Sequence, residues 1–364
     1  VARFPGGRVQ RSFVLLSVVC GICTWLSACA TSTAASSTNT SANAGAPDAG
    51  VDAVALLHHE AEQAAPLATT LLARQFVAQV QAGALPHVEP REIFRTEDKK
   101  RYFTAKEAAA LPESERKLLQ KVPVNDEVYY YTKYGSPLSY TRPLDLLGQH
   151  GVQPHAGTRY LDFGYGYVGH LRMLAGLGWD TTGVDVDPFL RALYSEPSDQ
   201  GAIGSGHVTL VDGHFPNQPD VVARVGSGYQ IILSKNVLKK GYIHPDRPAD
   251  DKYLIHLGID DAAFLKGFFD ALEPGGLFLV YNICPALTPA DKPFVPWSDG
   301  RSPFTKEQWE AAGFEVLVFD QDDTAAIRAL GHALGWDAPG DDAMDLQHDL
   351  SVLYTLVRRP APPK

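Results

Sequence analysis

Cysteine is nearly missing from the body of this chain. Cys20, Cys23 and Cys29 fall at the N-terminus, and Cys284 stands alone in the rest. A single thiol cannot close an intramolecular disulfide, so the folded part must be stable without one. Cations are scarce too. Setting aside Arg3, Arg8 and Arg11 of the first 29 residues leaves 29 of the 32 basic residues against 42 acids, a net of −13. That balance excludes a generally basic surface, and with it sequence-independent nucleic-acid binding. The apolar run from Phe13 to Leu26 is too short and too abruptly ended for a membrane span. No GxSxG elbow is present, which removes the Ser/His/Asp hydrolase reading. Histidines and acids occur at His58-His59, His244, His256, Asp250-Asp251 and Asp320 to Asp323, but none at a metal-site spacing.

What is present divides the chain. Residues 1–29 have a basic start, the apolar run and a small-residue region, the order of an export leader. Leu26-Ser27-Ala28-Cys29 resembles the bacterial lipobox, which implies a lipid on Cys29 and a membrane attachment in the cell envelope. Val1 in place of Met leaves the alternative that the start is set too early and the protein is cytoplasmic. Residues 30–53 are small, polar and repetitive, as in a flexible tether.

The folded part follows. Residues 54–150 read as a helical extension: apolar spacing of three and four over 51–82 predicts one or two helices. Thr104 with Glu107 three residues on predicts a capping box, and Pro112 interrupts that helix. Residues 151–359 read as one α/β domain, with 360–364 as a tail. Strands are expected at 158–162, 181–185, 207–211, 229–234 and 276–282, with helices between and after them. The strands are nearly continuous apolar runs such as "YQIILS", which suits a doubly wound, mostly parallel sheet covered on both faces. Two further strands, "GFEVLVFD" and "LSVLYTLVRR", end the chain with a helix at about 324–335 between them.

The turn "DFGYGYVG" joins the first strand to the first helix. Gly164, Gly166 and Gly169 fit GxGxxG, and Asp185 follows about 20 residues on, where such folds hold ribose hydroxyls. Taken alone, that pattern favours NAD. Asp162 argues otherwise: a carboxylate before the turn repels a diphosphate and attracts a cationic amino group, such as that of S-adenosylmethionine. Asp212, ending the third strand, is placed to accept from an adenine amino group.

"YLDFGYGYVGHLRMLAGLGWDTTGVDVDP" resembles the first two motifs of the class I S-adenosylmethionine-dependent methyltransferases. "YQIILSKNVL", "LEPGGLFLVYN" and "FTKEQWEAAGFEVLVF" are similar to their later strands and turns, so the resemblance spans roughly 155–358. It implies a seven-stranded sheet with an antiparallel last strand, and S-adenosylmethionine as cofactor. It also implies Asp162, Gly164 and Gly166 beside the methionine moiety, Asp185 on the ribose and Asp212 on the adenine. Two positions depart from the pattern: Val168 stands where the third glycine belongs, and Gln230 where an acid often opens the fourth strand. The methyl acceptor is expected beyond the fourth and fifth strands. There Asn236 is a candidate to orient it, with Tyr242 and His244 as candidate bases. Cys284 reads as a small buried hydrophobe. The sequence does not name the acceptor. An exported domain also sits awkwardly with a cofactor made in the cytosol, so a lipid-anchored binding or scaffold protein with a vestigial pocket is the alternative, and an NAD-linked oxidoreductase the third.

Overall fold

The computed structural model describes residues 52–131, 135–339 and 343–362; the leader, Cys29 and almost all of the expected tether lie outside them. Among the described residues no helix is long and apolar enough to cross a membrane. Asp52 opens the fold, its carboxylate accepting from the amides of Val54 and Ala55 to cap the first helix.

The extension holds α1 (Ala53–Ala64), α2 (Leu71–Gln81), β1 (Arg91–Arg95), β2 (Tyr102–Phe103), α3 (Ala105–Ala110), α4 (Glu113–Arg116), β3 (Gln120–Val124), α5 (Asp126–Tyr130) and α6 (Thr141–Gln149). The capping box forms on α3 between Thr104 and Glu107, and Pro112 sits at the start of α4 as expected. The extension is not wholly helical: β2, β1 and β3 make a small antiparallel sheet. These strands are two to five residues long, too short for a clear period.

The main sheet follows: β4 (Arg159–Phe163), α7 (Gly169–Gly176), β5 (Asp180–Asp185), α8 (Pro188–Leu193), β6 (Gly201–Ile203), β7 (Gly206–Asp212), α9 (Pro219–Val225), β8 (Tyr229–Lys235), α10 (Lys240–Ile243), α11 (Asp261–Ala271), β9 (Leu272–Cys284), α12 (Lys306–Ala311), β10 (Glu315–Asp322), α13 (Thr324–Ala333) and β11 (Ser351–Arg358). The strand order is β10-β11-β9-β8-β4-β5-β7-β6. From β9 to β7 neighbouring strands run parallel, whereas β11 enters between β9 and β10 antiparallel to both. This is the doubly wound, mostly parallel sheet that the sequence implies, with its antiparallel last strand. It has eight strands instead of seven, because β6 turns back on β7 through a hairpin at Gly204.

Alternate residues of each central strand enter opposite cores. Tyr160, Ile231, Leu233 and Tyr281 join the core covered by α1, α2, α6, α7 and α13. Leu161, Ile232, Phe278 and Val280 join the one covered by α9, α11 and α12. The extension thus shares the cover of one face of the sheet with α7 and α13. Its polar anchor is Asp145 on α6, wholly buried, which accepts from the amides of Thr69 and Thr70 at 3.0 and 2.7 Å ahead of α2.

The chain leaves β4 toward β5 and β7 on one side, then returns to β8 on the other. The crevice at this reversal, outside the carboxyl ends of β4 and β8, is where doubly wound sheets bind ligands.

Candidate cofactor site at the sheet reversal

The glycine turn lies at that crevice. Gly164 has φ +77° and faces Val237, just past β8, so closely that a methyl group there would clash with its side chain. Gly166 has φ +61°, and nothing stands within 4 Å of where its Cβ would be. Its glycine answers a backbone need and leaves open space beside the turn. Gly169 serves packing instead: it opens α7 against Pro137 of the extension. Val168, at the family's third glycine position, gives its amide to the Tyr194 hydroxyl at 3.2 Å.

Asp162 lies deeper than the lip of the crevice. It is fully buried on the extension's face of the sheet, its Oδ2 accepting from the Tyr160 hydroxyl at 2.8 Å and from His170 Nε2 at 2.7 Å. The Tyr140 ring, from the extension, stacks on His170 at 3.6 Å. Burial pushes the His170 imidazole down, and Asp162 opposes the fall. Burial likewise drives the Tyr140 and Tyr160 phenols well above their usual range. The other carboxylate oxygen, Oδ1, is buried and makes no hydrogen bond of good geometry, although the Tyr140 phenol lies near enough to Asp162 for the carboxylate to help raise it. An orphan of this kind marks a place for a donor.

A cleft of about 210 Å³ opens where β5 and β7 end, lined by Tyr165, Asp185, Asp187, Leu190, Tyr194 and Asp212 among others. Asp185 and Asp212 are direct register partners. Asp185 is more committed than expected, because it accepts from the amides of Gly166, Val186 and Asp187 at 3.1, 2.7 and 3.0 Å. It therefore holds the turn as well as facing the cleft. Burial raises its carboxyl, and those amides oppose the rise. Burial also pushes Asp187 up to about 7, with Asp185 and Asp212 adding to it. Asp212 is exposed, and its carbonyl rather than its carboxylate accepts from Arg224. Arg191, the one cation among the described residues that line the cleft, is tied to Glu107 at 2.7 Å and to the Tyr102 carbonyl.

The acceptor-side candidates are not gathered here. Asn236, with φ +69°, accepts from the Ile283 amide at 2.7 Å and donates its own amide to Tyr281, locking the end of β8 to β9. Tyr242 is buried with the Lys239 ammonium 5.4 Å from its ring centre. His244 meets Asp261 of α11 at 2.9 Å and turns its ring edge to Phe304. Neither Tyr242 nor His244 lines the cleft. Cys284 is buried beside Ser351. No group of three metal-ligating side chains occurs among the described residues.

Sequence reasoning missed three contributors. Tyr140 and His170 reach Asp162 only through folding, and no motif announces them. Lys235 had a signal, as a cation ending an apolar strand. It is half-buried, and burial pushes its ammonium down to about 8, with Asp162 opposing and Lys239 adding to the fall.

The residues suit a nucleoside with a cationic end better than a dinucleotide. The turn offers open space at Gly166, Asp162 just before the turn keeps a buried oxygen without a well-formed hydrogen bond, and the cleft is ringed by acids that repel phosphate.

No family model matches the chain, and no curated protein matches it. Solved structures do. A crystal structure of a putative sarcosine dimethylglycine methyltransferase from Galdieria sulphuraria is 13% identical, over 60% of this chain and 88% of that one, with a TM-score of 0.36. A phosphoethanolamine N-methyltransferase of Haemonchus contortus, with S-adenosylhomocysteine bound, is 14% identical over 79% and 74%, with a TM-score of 0.36. The [4+2]-cyclase SpnF is 16% identical over 61% and 81%, at 0.37. The fold assignment rests on the strand order of this chain.

Proposed function

We propose that this protein binds S-adenosylmethionine at the sheet reversal and transfers its methyl group to an acceptor that the residues do not name. The observation that carries the reading is the orphaned Oδ1 of Asp162, two residues before Gly164, since a buried carboxylate oxygen without a well-placed donor calls for one and the cofactor's ammonium is one. Asp185 would hold the ribose with the acceptor capacity left beyond its three amides, and Asp212 the adenine amino group. The cofactor supplies an activated methyl on a sulfonium; the protein's part is to aim it, exclude water and take a proton where the acceptor carries one. The neighbours in fold do not choose the chemistry, because one fold hosts many activities.

The second reading, a lipid-anchored binding or scaffold protein with a vestigial pocket, draws on Asp185, most of whose acceptor capacity the turn already consumes. The envelope location belongs to this proposal too and depends on lipidation at Cys29.

Asp212 separates the readings, because its exposed carboxylate can be removed without disturbing the turn. Calorimetry on the full chain should show S-adenosylmethionine binding that weakens about tenfold in Asp212→Ala, the scale of one hydrogen bond to a charged group. The melting temperature should not change. Equal affinity in the two proteins would remove Asp212 from the site, and no binding in either would favour the vestigial pocket.

A further inference from the structure

Lys235 and Asp162 are opposite charges on one face of the sheet that do not pair. Lys235 ends β8, and Asp162 lies on the neighbouring β4, in register with Leu233 two residues earlier. Alternation puts Leu233 and Lys235 on the same side, and Leu233 enters the extension's core with Tyr160. The Tyr140 ring confirms the placement: it stacks on His170 beside Asp162, and the Lys235 ammonium lies 4.8 Å from its centre. Despite this, Lys235 makes no ion pair among the described residues, and Asp162 Oδ1 makes no hydrogen bond of good geometry.

Two poorly solvated charges of opposite sign ordinarily close on one another. Here no ion pair closes between them among the described residues, although both lie near the carboxyl ends of neighbouring strands at the reversal of the sheet. A ligand that carries both charges on one carbon, an α-amino acid, satisfies both at once.

We infer that Lys235 and Asp162 are a clamp for the amino-acid end of the cofactor, Lys235 taking its α-carboxylate and Asp162 Oδ1 its α-ammonium. The inference rests on the cofactor reading above and adds the residue that recognises the carboxylate. The half-buried Lys235 leaves the Tyr140 ring to meet the ligand.

The charged and titratable groups around Lys235 set the sign of a proton linkage. Asp162 on β4 favours its ammonium; Lys239, past β8, disfavours it. His170 on α7 is held toward its neutral form, and the phenols of Tyr140 and of Tyr281, its partner on β9, stay protonated. Free Lys235 thus starts with its ammonium weakened to about 8. A carboxylate brought against it strengthens the ammonium, so binding takes up a proton on the alkaline side of that value. If Lys235 acted instead as a neutral base beside the cofactor's positive charges, binding would release one.

The experiment is calorimetry on the full chain and on Lys235→Met with two nucleosides. S-adenosylhomocysteine has the amino-acid end, and 5′-methylthioadenosine lacks it. The clamp predicts that Lys235→Met weakens S-adenosylhomocysteine by about tenfold or more and leaves 5′-methylthioadenosine within about twofold. Across two buffers of different ionisation enthalpy at pH about 8.5, wild type should take up roughly half a proton with S-adenosylhomocysteine. That uptake should vanish in Lys235→Met. Equal weakening of both nucleosides, no weakening of S-adenosylhomocysteine, or proton release would overturn the clamp. If wild type binds 5′-methylthioadenosine and S-adenosylhomocysteine equally well, the nucleoside site stands and the clamp alone falls. If it binds neither, the cofactor reading falls and takes the clamp with it.

Discussion

Arg142→Met should lower the free energy of unfolding by about 3–5 kcal/mol, the usual cost of leaving a buried charge without its partner. Arg142, on α6, reaches Asp323 through Nε at 2.9 Å and Nη2 at 2.7 Å, and Asp145 through Nη1 at 3.1 Å. Both acids are nearly or wholly out of solvent, at 8% and 0% exposed. Asp323 precedes α13 and also accepts from the Tyr281 hydroxyl of β9 at 2.9 Å. One guanidinium thus fastens the extension to the sheet and to the helix ahead of β11. Methionine keeps much of the stem's volume and removes every donor. Denaturant unfolding monitors the loss, and the double variant Arg142→Met, Asp323→Asn should recover part of it by neutralising one stranded acid. A loss below about 1 kcal/mol would mean that the network is solvated like a surface pair.

Asp187→Asn should stabilise the protein, and by an amount that grows with pH. Asp187 caps α8, accepting from the Phe189 amide at 2.8 Å, and is 6% exposed. Burial pushes its carboxyl up to about 7, against the pull of that amide and with the charges of Asp185 and Asp212 adding to the rise. A folded-state pKa above the unfolded value means that the folded form binds the extra proton. The contribution is therefore fully present below the unfolded pKa of about 3.9 and is lost as pH rises through about 7. Asparagine keeps the cap and carries no charge. Its advantage over aspartate should be about 0.5 kcal/mol or less at pH 4 and reach roughly 2–4 kcal/mol at pH 8, given that one pKa unit is about 1.4 kcal/mol. Thermal melts across that range measure it. A difference that stays flat with pH, or a destabilised variant at pH 8, would show that Asp187 ionises at its ordinary value. The strain matters for function, because three acids crowded at one cleft are relieved by a cationic ligand and worsened by a phosphate.

The parts of this fold that a local signal can carry were legible. Apolar runs, continuous in β8 and much of β9 and interrupted in β5 and β7, marked the five parallel strands, and the capping box and Pro112 placed α3 and α4. Gly164 and Gly166 were legible as a turn because positive φ has a residue signature. The small sheet of β1, β2 and β3 was not, since its strands are too short to show alternation. Nor was β6, whose three residues pair only because a hairpin returns them to β7. At the site, the acids were read from their positions at strand ends, but their surroundings come from distant segments. The closure of Asp162 depends on His170 eight residues on and on Tyr140 from the extension, and the three amides on Asp185 depend on the turn's final shape. Asn236 shows the opposite case: its place suggested an acceptor's partner, and folding spends its carbonyl on the Ile283 amide.

The central claim is a choice of cofactor by charge: acids around an open glycine turn select a cation and refuse a diphosphate. Separate titrations of the full chain with S-adenosylmethionine and with NAD test it most directly. Micromolar-range binding of S-adenosylmethionine, with NAD at least about tenfold weaker, is the result expected. Tighter binding of NAD would contradict it.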